Sequence, residues 1–510
     1  MLDHPLEPPD WCARLIMQIA SEPRISLVAL IRSDATPARH AMSPFARCLT
    51  GLERTLAACP QSADRDEYAK AIAHASLLTS ASVDAVSSQR LDVILDLSAG
   101  QGASIAPDLA SHGVWYADFL DPATGWASFS AKTAVTRIAL FRRTTGRSQP
   151  VGVAEAALNP KFIAARNALF MREKAVPLIL RALRRTQMAG RPDEPENLIH
   201  TERPHLGSGE MSRYLRHLTR NLTDLGLDYV RSRTHRRPGM FFLKSSHGSL
   251  LDFDPAAASP HVSKTNSYFA DPFLWDHEGE TFCFFEEYDY RTAKGHISAG
   301  RLVEGELLDV RPVLQTGYHL SFPFLFEHGG ELYMLPETSE VRRLEVWRCV
   351  DFPDRWERHA TALDGVSASD STLNLIDGTW WLFTNLSRDP FIDMNSELHV
   401  FRVDGPALET IEAHAFNPVV MDANRARNAG RILDIDGKLY RPAQENSHGR
   451  YGYGLRLMEI RSLSLDEYDE VEARAIAPDF EPGITGCHHL DVRNGHIVMD
   501  VRRKVGGYAR

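Results

Sequence analysis

Asp271, Glu286, Glu337 and Asp370 lie far apart in the chain, yet each keeps a fixed distance from a glycine. Asp271 and Asp370 stand eight residues before Gly279 and Gly378, and Glu286 and Glu337 stand seven after Gly279 and Gly330. Carboxylates paired around a pocket suit glycosidic-bond chemistry. One stays ionised as nucleophile or base, and the other holds a proton for the leaving oxygen. Burial and neighbouring like charge separate the two proton affinities and with them the two roles. On this reading Asp271 is the base or nucleophile, Glu337 the acid, and Asp370 orients substrate or stabilises positive charge at the sugar ring. The same acids have plainer uses. An Asp near a strand end caps backbone N–H groups, and acids around a channel can hold a structural cation.

The glycines mark a repeat. "ADPFLWDHEGETFCFFEE" turns at Gly279, "SFPFLFEHGGELYMLPET" at Gly330, "SDSTLNLIDGTWWLFTN" at Gly378, "AGRILDIDGKLYRPAQEN" at Gly437 and "CHHLDVRNGHIVMDVRR" at Gly495. Strand–turn–strand units spaced 51, 48, 59 and 58 residues apart predict a five-bladed β-propeller over 237–510; a β-sandwich with unrelated hairpins is the plainer alternative. Innermost strands of a propeller converge on an axis, so equivalent positions meet there. One set is Asp271, Phe322, Asp370, Ala429 and Cys487; the other is Glu286, Glu337, Asn385, Gln444 and Arg502. Near the same strand ends stand Glu287, Lys294, His296, His319, Arg425, Arg427, Asn428, His488 and His489. With Glu286 and Gln444 they are the candidate substrate-binding residues, the arginines suiting a phosphate or carboxylate. Trp380 and Trp381 could stack on sugar faces or fill the blade core.

The region 1–190 has a different texture. "RISLVALI" (24–31), "LDVILDLS" (91–98) and "GVWYADF" (113–119) read as buried parallel strands. "TAVTRIALFRRT" (133–144) reads as an edge strand with "VGVAEAAL" its possible partner, and 160–187 as a helix broken before Pro177. This reads as an α/β domain. Residues 191–236 form a Pro-, Gly- and charge-rich linker with a short amphipathic helix.

With 510 residues, 43% of them hydrophobic, and a net charge of −10, the chain is expected to be a globular protein and not a general nucleic-acid binder. Six scattered cysteines form no CxxC pair, and no apolar run approaches membrane-spanning length, so reduced thiols and a cytoplasmic location are the expectation.

The β region resembles the N-terminal domain of the plant glucosamine inositolphosphorylceramide transferases and its bacterial relatives. The resemblance rests on "SYFADPF", "HLSFPFLFEHGGELYMLPET", "NPVVMDANRARNAGRI" and "GKLYRPAQENSHGRYGYGLRLMEI". It implies a five-bladed propeller akin to glycosidases of the arabinanase and invertase type, with Asp271 matching their first-blade Asp. In the plant proteins a separate transferase domain is attached. The N-terminal region, 1–190, more weakly resembles the formyltransferase fold, which implies a Rossmann-like sheet that binds a folate formyl donor and an Asn–His–Asp set. Here Ser98 or Ala99, and Tyr116, Ala117 and Asp118, stand where the first two would fall, and "RRTTGRSQPVG" offers no Asp, so the triad reads as lost and folate as unlikely. Asp118 and Asp121 could serve another reaction. The expected activity is glycosyl transfer or hydrolysis at the propeller axis in glycoconjugate, polysaccharide or glycosylated-metabolite biosynthesis. The substrate would be a sugar nucleotide, sugar phosphate or glycan. The alternatives are a non-catalytic glycan- or partner-binding propeller, and N-formyl transfer to an amino sugar.

Overall fold

The computed structural model describes residues 1–33, 44–56, 61–98, 105–120, 125–126, 129, 133–195, 198, 208–233, 240–263 and 266–503. It divides into two compact units, Met1–Leu222 with Asp389–Phe391, and the remainder.

In the first unit, helices α1 (Asp10–Ser21), α2 (Pro44–Leu56), α3 (Arg65–Ile72), α4 (Val83–Ser87), α5 (Ala164–Ala189) and α6 (Ser208–Arg233) accompany short strands. Strand β1 (Ala29–Arg32) pairs in parallel with β2 (Ser76–Thr79), and β3 (Ile94–Asp96) with β4 (Val114–Ala117). Strands β5 (Thr136–Arg143) and β6 (Val151–Leu158) then continue antiparallel. The parallel character expected of a Rossmann-like sheet therefore covers only part of it. "TAVTRIALFRRT" supplies β5, which is interior; the edge is β6. Helix α5 runs unbroken through Pro177. Its apolar face is buried along its whole length, and that packing outweighs the hydrogen bond a proline removes.

The residues read as a lost triad have structural work. Ser98 donates from its N–H (3.0 Å) and its hydroxyl (2.6 Å) to the buried Asp96 carboxylate. Tyr116 stacks on Phe141, and Asp118 accepts the Ala139 N–H at 3.1 Å. Ala99 and Asp121 lie outside the described residues.

The second unit consists of five antiparallel sheets. Blade one holds β9 (Ser267–His277), β10 (Glu280–Asp289), β11 (Lys294–Val303) and β12 (Glu306–Leu314). Blade two holds β13 (Ser321–His328), β14 (Glu331–Glu337), β15 (Leu344–Asp351) and β16 (Arg355–Ala362). Blade three holds β17 (Ser367–Ile376), β18 (Thr379–Ser387), β19 (His399–Val403) and β20 (Ile411–Ala413). Blade four holds β21 (Leu433–Ile435), β22 (Lys438–Glu445), β23 (Gly454–Leu463) and β24 (Tyr468–Ile476). Blade five joins β25 (Ile484–Gly486), β26 (Leu490–Arg493) and β27 (His496–Arg503) to β7 (Met240–His247) and β8 (Ser259–His261) from the start of the unit. Strands β7 and β8 supply the outer strands of this blade and close the ring.

The five glycines act alike. Each is the second residue of a two-residue hairpin, and the residue before it (Glu278, Gly329, Asp377, Asp436, Asn494) also has φ near +50° to +60°. Positive φ at both positions is the type I′ turn, whose twist matches that of the flanking strands. Gly430, which opens the repeat in blade four, has φ +146°, and a Cβ there would stand 2.0 Å from the Leu490 carbonyl oxygen. Gly430→Ala is expected to lower stability by about 1–3 kcal/mol through overpacking, measured as a shift in urea midpoint; an unchanged midpoint would show that the two blades can move apart there.

Candidate functional site

In blades one to three the residue eight before the turn glycine breaks the strand. Asp271, Phe322 and Asp370 have φ of 51°, 47° and 47°, each at a shift in strand register. Such bulges re-aim a side chain. Phe322 is fully buried and packs with Phe273 around the His489 ring, at centroid distances of 5.1 and 4.5 Å. Those rings form a floor. Deeper along the axis, Arg431 donates to Asp491 (3.0 Å) and to the carbonyl oxygens of Leu325 (2.8 Å) and Leu274 (3.3 Å). The guanidinium crosses the channel, so the acids stand in a mouth with a bottom.

Around Arg427 the acids converge. Its Nε donates to Asp370 Oδ2 at 2.6 Å and its Nη2 to Oδ1 at 3.2 Å, while Nη2 lies 3.6 Å from Glu337 Oε2. Gln444 donates to the same Asp370 Oδ2 at 3.0 Å, and the Ser339 hydroxyl donates to Glu337 at 2.7 Å. On the other side, His488 Nδ1 is 2.6 Å from Asp500 Oδ2 and 3.8 Å from Asp271 Oδ1. Glu286 is buried, its Oε1 has no hydrogen-bond partner, and His319 Nε2 lies 3.7 Å away. Aromatic rings border these groups. Tyr451 faces Arg427 at 5.0 Å, Tyr268 and Tyr288 stack at 4.8 Å, and Phe241 stacks on His488 at 4.5 Å.

The blade-capping alternative for acids is realised elsewhere on the axis. Asp500 accepts the N–H groups of Asp271 (3.0 Å), His488 (3.0 Å) and His489 (3.1 Å), and Asp491 accepts that of Leu274 (2.8 Å). Among the described residues, the carboxylates of Asp271, Glu286, Glu337 and Asp370 take no backbone N–H; their partners are side chains.

These surroundings split the proton affinities. Burial pushes Asp271 up to about 6, opposed by His488 and reinforced by Asp500 and Glu337. Burial pushes Asp370 up to about 8, opposed by Arg427 and reinforced by Glu337 and Asp271. Glu286 is raised by burial and by the charge of Asp271. Burial works against ionised Glu337 too, but Arg427 and the hydrogen bonds from Ser339 and Asp370 outweigh it and hold Glu337 below the usual glutamate range. Glu337 and Asp370 thus share one proton beside one guanidinium. The order differs from the sequence expectation, which made Glu337 the acid and Asp271 the base.

A pH dependence follows. Unfolded Asp370 releases its proton near 3.8 and the folded protein holds it to about 8. Between those values the folded state binds the extra proton, so its stability falls as pH rises. Melting temperature measured from pH 4 to 8 should decline, and Asp370→Asn should flatten the decline; parallel profiles for the two proteins would remove Asp370 as its source.

Not all expected site residues meet here. Glu287, adjacent to Glu286, points to the other face of β10, as strand alternation demands, and takes the hydroxyls of Ser267 and Ser298, each at 2.8 Å. His296 lies with it, at 3.6 Å. Lys294 reaches the Gly317 carbonyl oxygen and Glu340 at the surface. Arg425 turns to Asp422 and Glu470. Asn428 serves the scaffold, donating to the Asp370 carbonyl oxygen at 2.8 Å and, from its backbone, to Asn385 at 3.0 Å. His319, Arg427, Gln444, His488 and His489 do join the four acids. Trp381 is buried in a blade core with Phe383 and Val400. Asp500, Tyr268, Tyr288 and Tyr451 were not singled out in the sequence. The tyrosines stand three before Asp271 and two after Glu286, and in "SHGRYGYG", where ring types beside acids were a readable signal.

One oxygen or nitrogen from each of Asp271, His488 and Asp500 lies within 4.8 Å of the others. Among the described residues, no helix is long and apolar enough to cross a membrane.

Residues 255–497 match the family model described as glucosamine inositolphosphorylceramide transferase 1, N-terminal. The curated glucosamine inositolphosphorylceramide transferase 1 of Oryza sativa subsp. japonica is 32% identical over 239 residues, covering 45% of this chain and 32% of that one. The protein of the same name from Arabidopsis thaliana is 34% identical over 239 residues, covering 45% and 31%. The chain spans about a third of the length of the curated relatives it matches. Similar solved structures include the catalytic domain of a Coprinopsis cinerea GH62 α-L-arabinofuranosidase, with 16% identity, TM-score 0.35, and coverage of 50% of this chain and 85% of that one. Another is Zg3597, a family 117 glycoside hydrolase of Zobellia galactanivorans, with 11% identity, TM-score 0.32, and coverage of 53% and 96%. The family match begins after the N-terminal unit, and the formyltransferase resemblance finds no support in it.

Proposed function

We propose that this protein is a carbohydrate-active enzyme that transfers a glycosyl group at the propeller mouth during glycoconjugate biosynthesis. The observation that carries this reading is the set of four buried acids with divided proton affinities, none spent on a backbone amide, beside an arginine and stacked tyrosines. Glu337, ionised at neutral pH, is the nucleophile or base, and Asp271 carries the proton to and from the leaving oxygen. Arg427 holds Asp370 and Glu337 in place and stabilises charge on a substrate phosphate or carboxylate. Tyr268, Tyr288 and Tyr451 offer apolar faces to a sugar. A cation on Asp271, His488 and Asp500 belongs to the same proposal, as does a cytoplasmic location, which favours an activated sugar.

The support from relatives is their name, glucosamine inositolphosphorylceramide transferase 1, and their 32% and 34% identity to this chain over 239 residues. About two-thirds of their length lies outside the match, and that favours a second reading in which the propeller binds a glycan and turns nothing over. The test is a screen of the purified protein against nucleotide sugars and sugar phosphates, with products followed by mass spectrometry and binding by thermal shift. A new glycosyl product, lost in Glu337→Gln, supports transfer. Binding that persists in Glu337→Gln with no product from any donor supports the second reading.

A further inference from the structure

The sheet of the N-terminal unit is split. Strand β1 pairs with β2, strand β3 pairs with β4, and β1 and β3 do not pair with each other. Met1 and Leu2 stand between them. The Leu2 N–H donates to the Ile31 carbonyl oxygen (2.9 Å), and the Leu2 carbonyl oxygen accepts from Ser33 N–H (2.9 Å). On the opposite side the Met1 carbonyl oxygen accepts from Leu97 N–H (3.0 Å), and the Met1 ammonium donates to the Leu95 carbonyl oxygen. Consecutive residues bonding to opposite neighbours are a β-strand, and the Leu2–Arg32 bridge is parallel. Met1 and Leu2 therefore form a rung of strand between β1 and β3.

A space adjoins this rung. Residues 24–31 and 90–95, with Leu15, Ile16 and Ile19 of α1 and Leu183 of α5, line a cavity of about 500 Å³ immediately before Met1. Its walls are strand edges. Val28 and Arg32 offer their carbonyl oxygens to β2, so alternation turns Ala29 and the Ile31 N–H toward the cavity. The Ile94 N–H bonds Gly113, so Val93 and the Leu95 N–H face the cavity from the other side. An ammonium sits buried where a peptide N–H would serve, and burial pushes its pKa down. A buried charge is costly, and an occupant whose backbone bonds both edges would put a peptide N–H in place of the ammonium.

We infer that this slot is the seat of a parallel β-strand running directly into Met1: an extended, apolar segment of about five residues. Its N–H and C=O groups would complete the ladders of β1 and β3 and make the sheet continuous from β2 to β6. Its side chains are apolar because α1 and α5 cover the slot with Leu, Ile and Leu side chains.

The test fuses six residues of alternating Val and Ile before Met1, with a Gly/Ser extension of the same length as the control. The apolar extension should raise the melting temperature by at least about 4 °C over the control, and it should slow hydrogen exchange at the Ile31 and Leu95 amides. Equal melting temperatures, or unchanged exchange at those amides, would overturn the inference. Stabilisation of the same size by the free hexapeptide, or by dodecanoate, would also overturn it, assigning the slot to a separate chain or to an aliphatic ligand. Mass spectrometry of the N-terminal peptide of the protein from its own source should find residues ahead of Met1; a peptide beginning at Met1 would exclude the strand.

Discussion

Replacing Arg431 with methionine should cost the propeller about 3–5 kcal/mol, the loss expected when one member of a buried ion pair is removed. Arg431 ties together blades that share no strand pairing. It leaves blade four to bond Asp491 in blade five and the Leu274 and Leu325 carbonyl oxygens in blades one and two. Asp491 is fully buried, and without Arg431 its charge would keep only the Leu274 N–H, at 2.8 Å. Phe273 and Phe324, 5.7 and 5.5 Å from the guanidinium, would gain an apolar neighbour, and that offsets a little. Urea unfolding should show a lower midpoint with an unchanged slope. Arg431→Met combined with Asp491→Asn should recover part of the loss, because the unpaired charge is then gone. If Arg431→Met alone leaves the midpoint in place, the axis is held by the blades and not by this crossing.

Much of this architecture could be read from the sequence because it rests on local chemistry. Gly-Gly, Asp-Gly and Asn-Gly, which form four of the five turns, are the pairs a type I′ turn favours, so aligning on the glycine also aligned the strands. Counting outward from it found Asp271, Glu286, Glu337 and Asp370 because strand registers repeat between blades. What failed lies where the count depends on tertiary structure. Glu287 was placed with Glu286 although strand alternation sends neighbours to opposite faces. The bulges at Asp271 and Asp370 add a residue that no periodicity announces. Asp500 sits off both counted positions, and its role appears only when blade five closes on blade one. The closing strands β7 and β8 come from the opposite end of the propeller sequence, where no repeat signal could assign them. Helix α5 passes through Pro177 because its packing decides, and packing is invisible to a rule about single residues. The split sheet is of the same kind: "RISLVALI" and "LDVILDLS" both read as strands, but their separation by Met1 and Leu2 is a matter of registration.

Asp271→Asn and Glu337→Gln should each lower glycosyl turnover by about 10²- to 10⁴-fold, the range for loss of a general acid or base, and should differ in what they do to its pH profile. Glu337 is held below the usual glutamate range and Asp271 is raised to about 6. Turnover by the unaltered protein should then rise as Glu337 ionises and fall as Asp271 loses its proton near pH 6. Asn at 271 cannot lose that proton, so its residual activity should lack the alkaline limb. Gln at 337 should lack the acidic one. If the limbs are exchanged, Asp271 is the base and Glu337 the acid, as the sequence alone suggested. Stability separates a chemical role from a structural one. Asp271 occupies the left-handed region at φ 51°, which Asn tolerates well, and its carboxylate takes no backbone N–H among the described residues. Asp271→Asn should therefore melt within a few degrees of the unaltered protein while losing turnover; a protein that unfolds instead would show that Asp271 serves the blade. Asp271→Ala gives the complementary control: alanine is strained at positive φ, so it should lose stability as well as activity. A stable Asp271→Asn protein beside an unstable Asp271→Ala protein would separate the residue's backbone conformation from its chemistry.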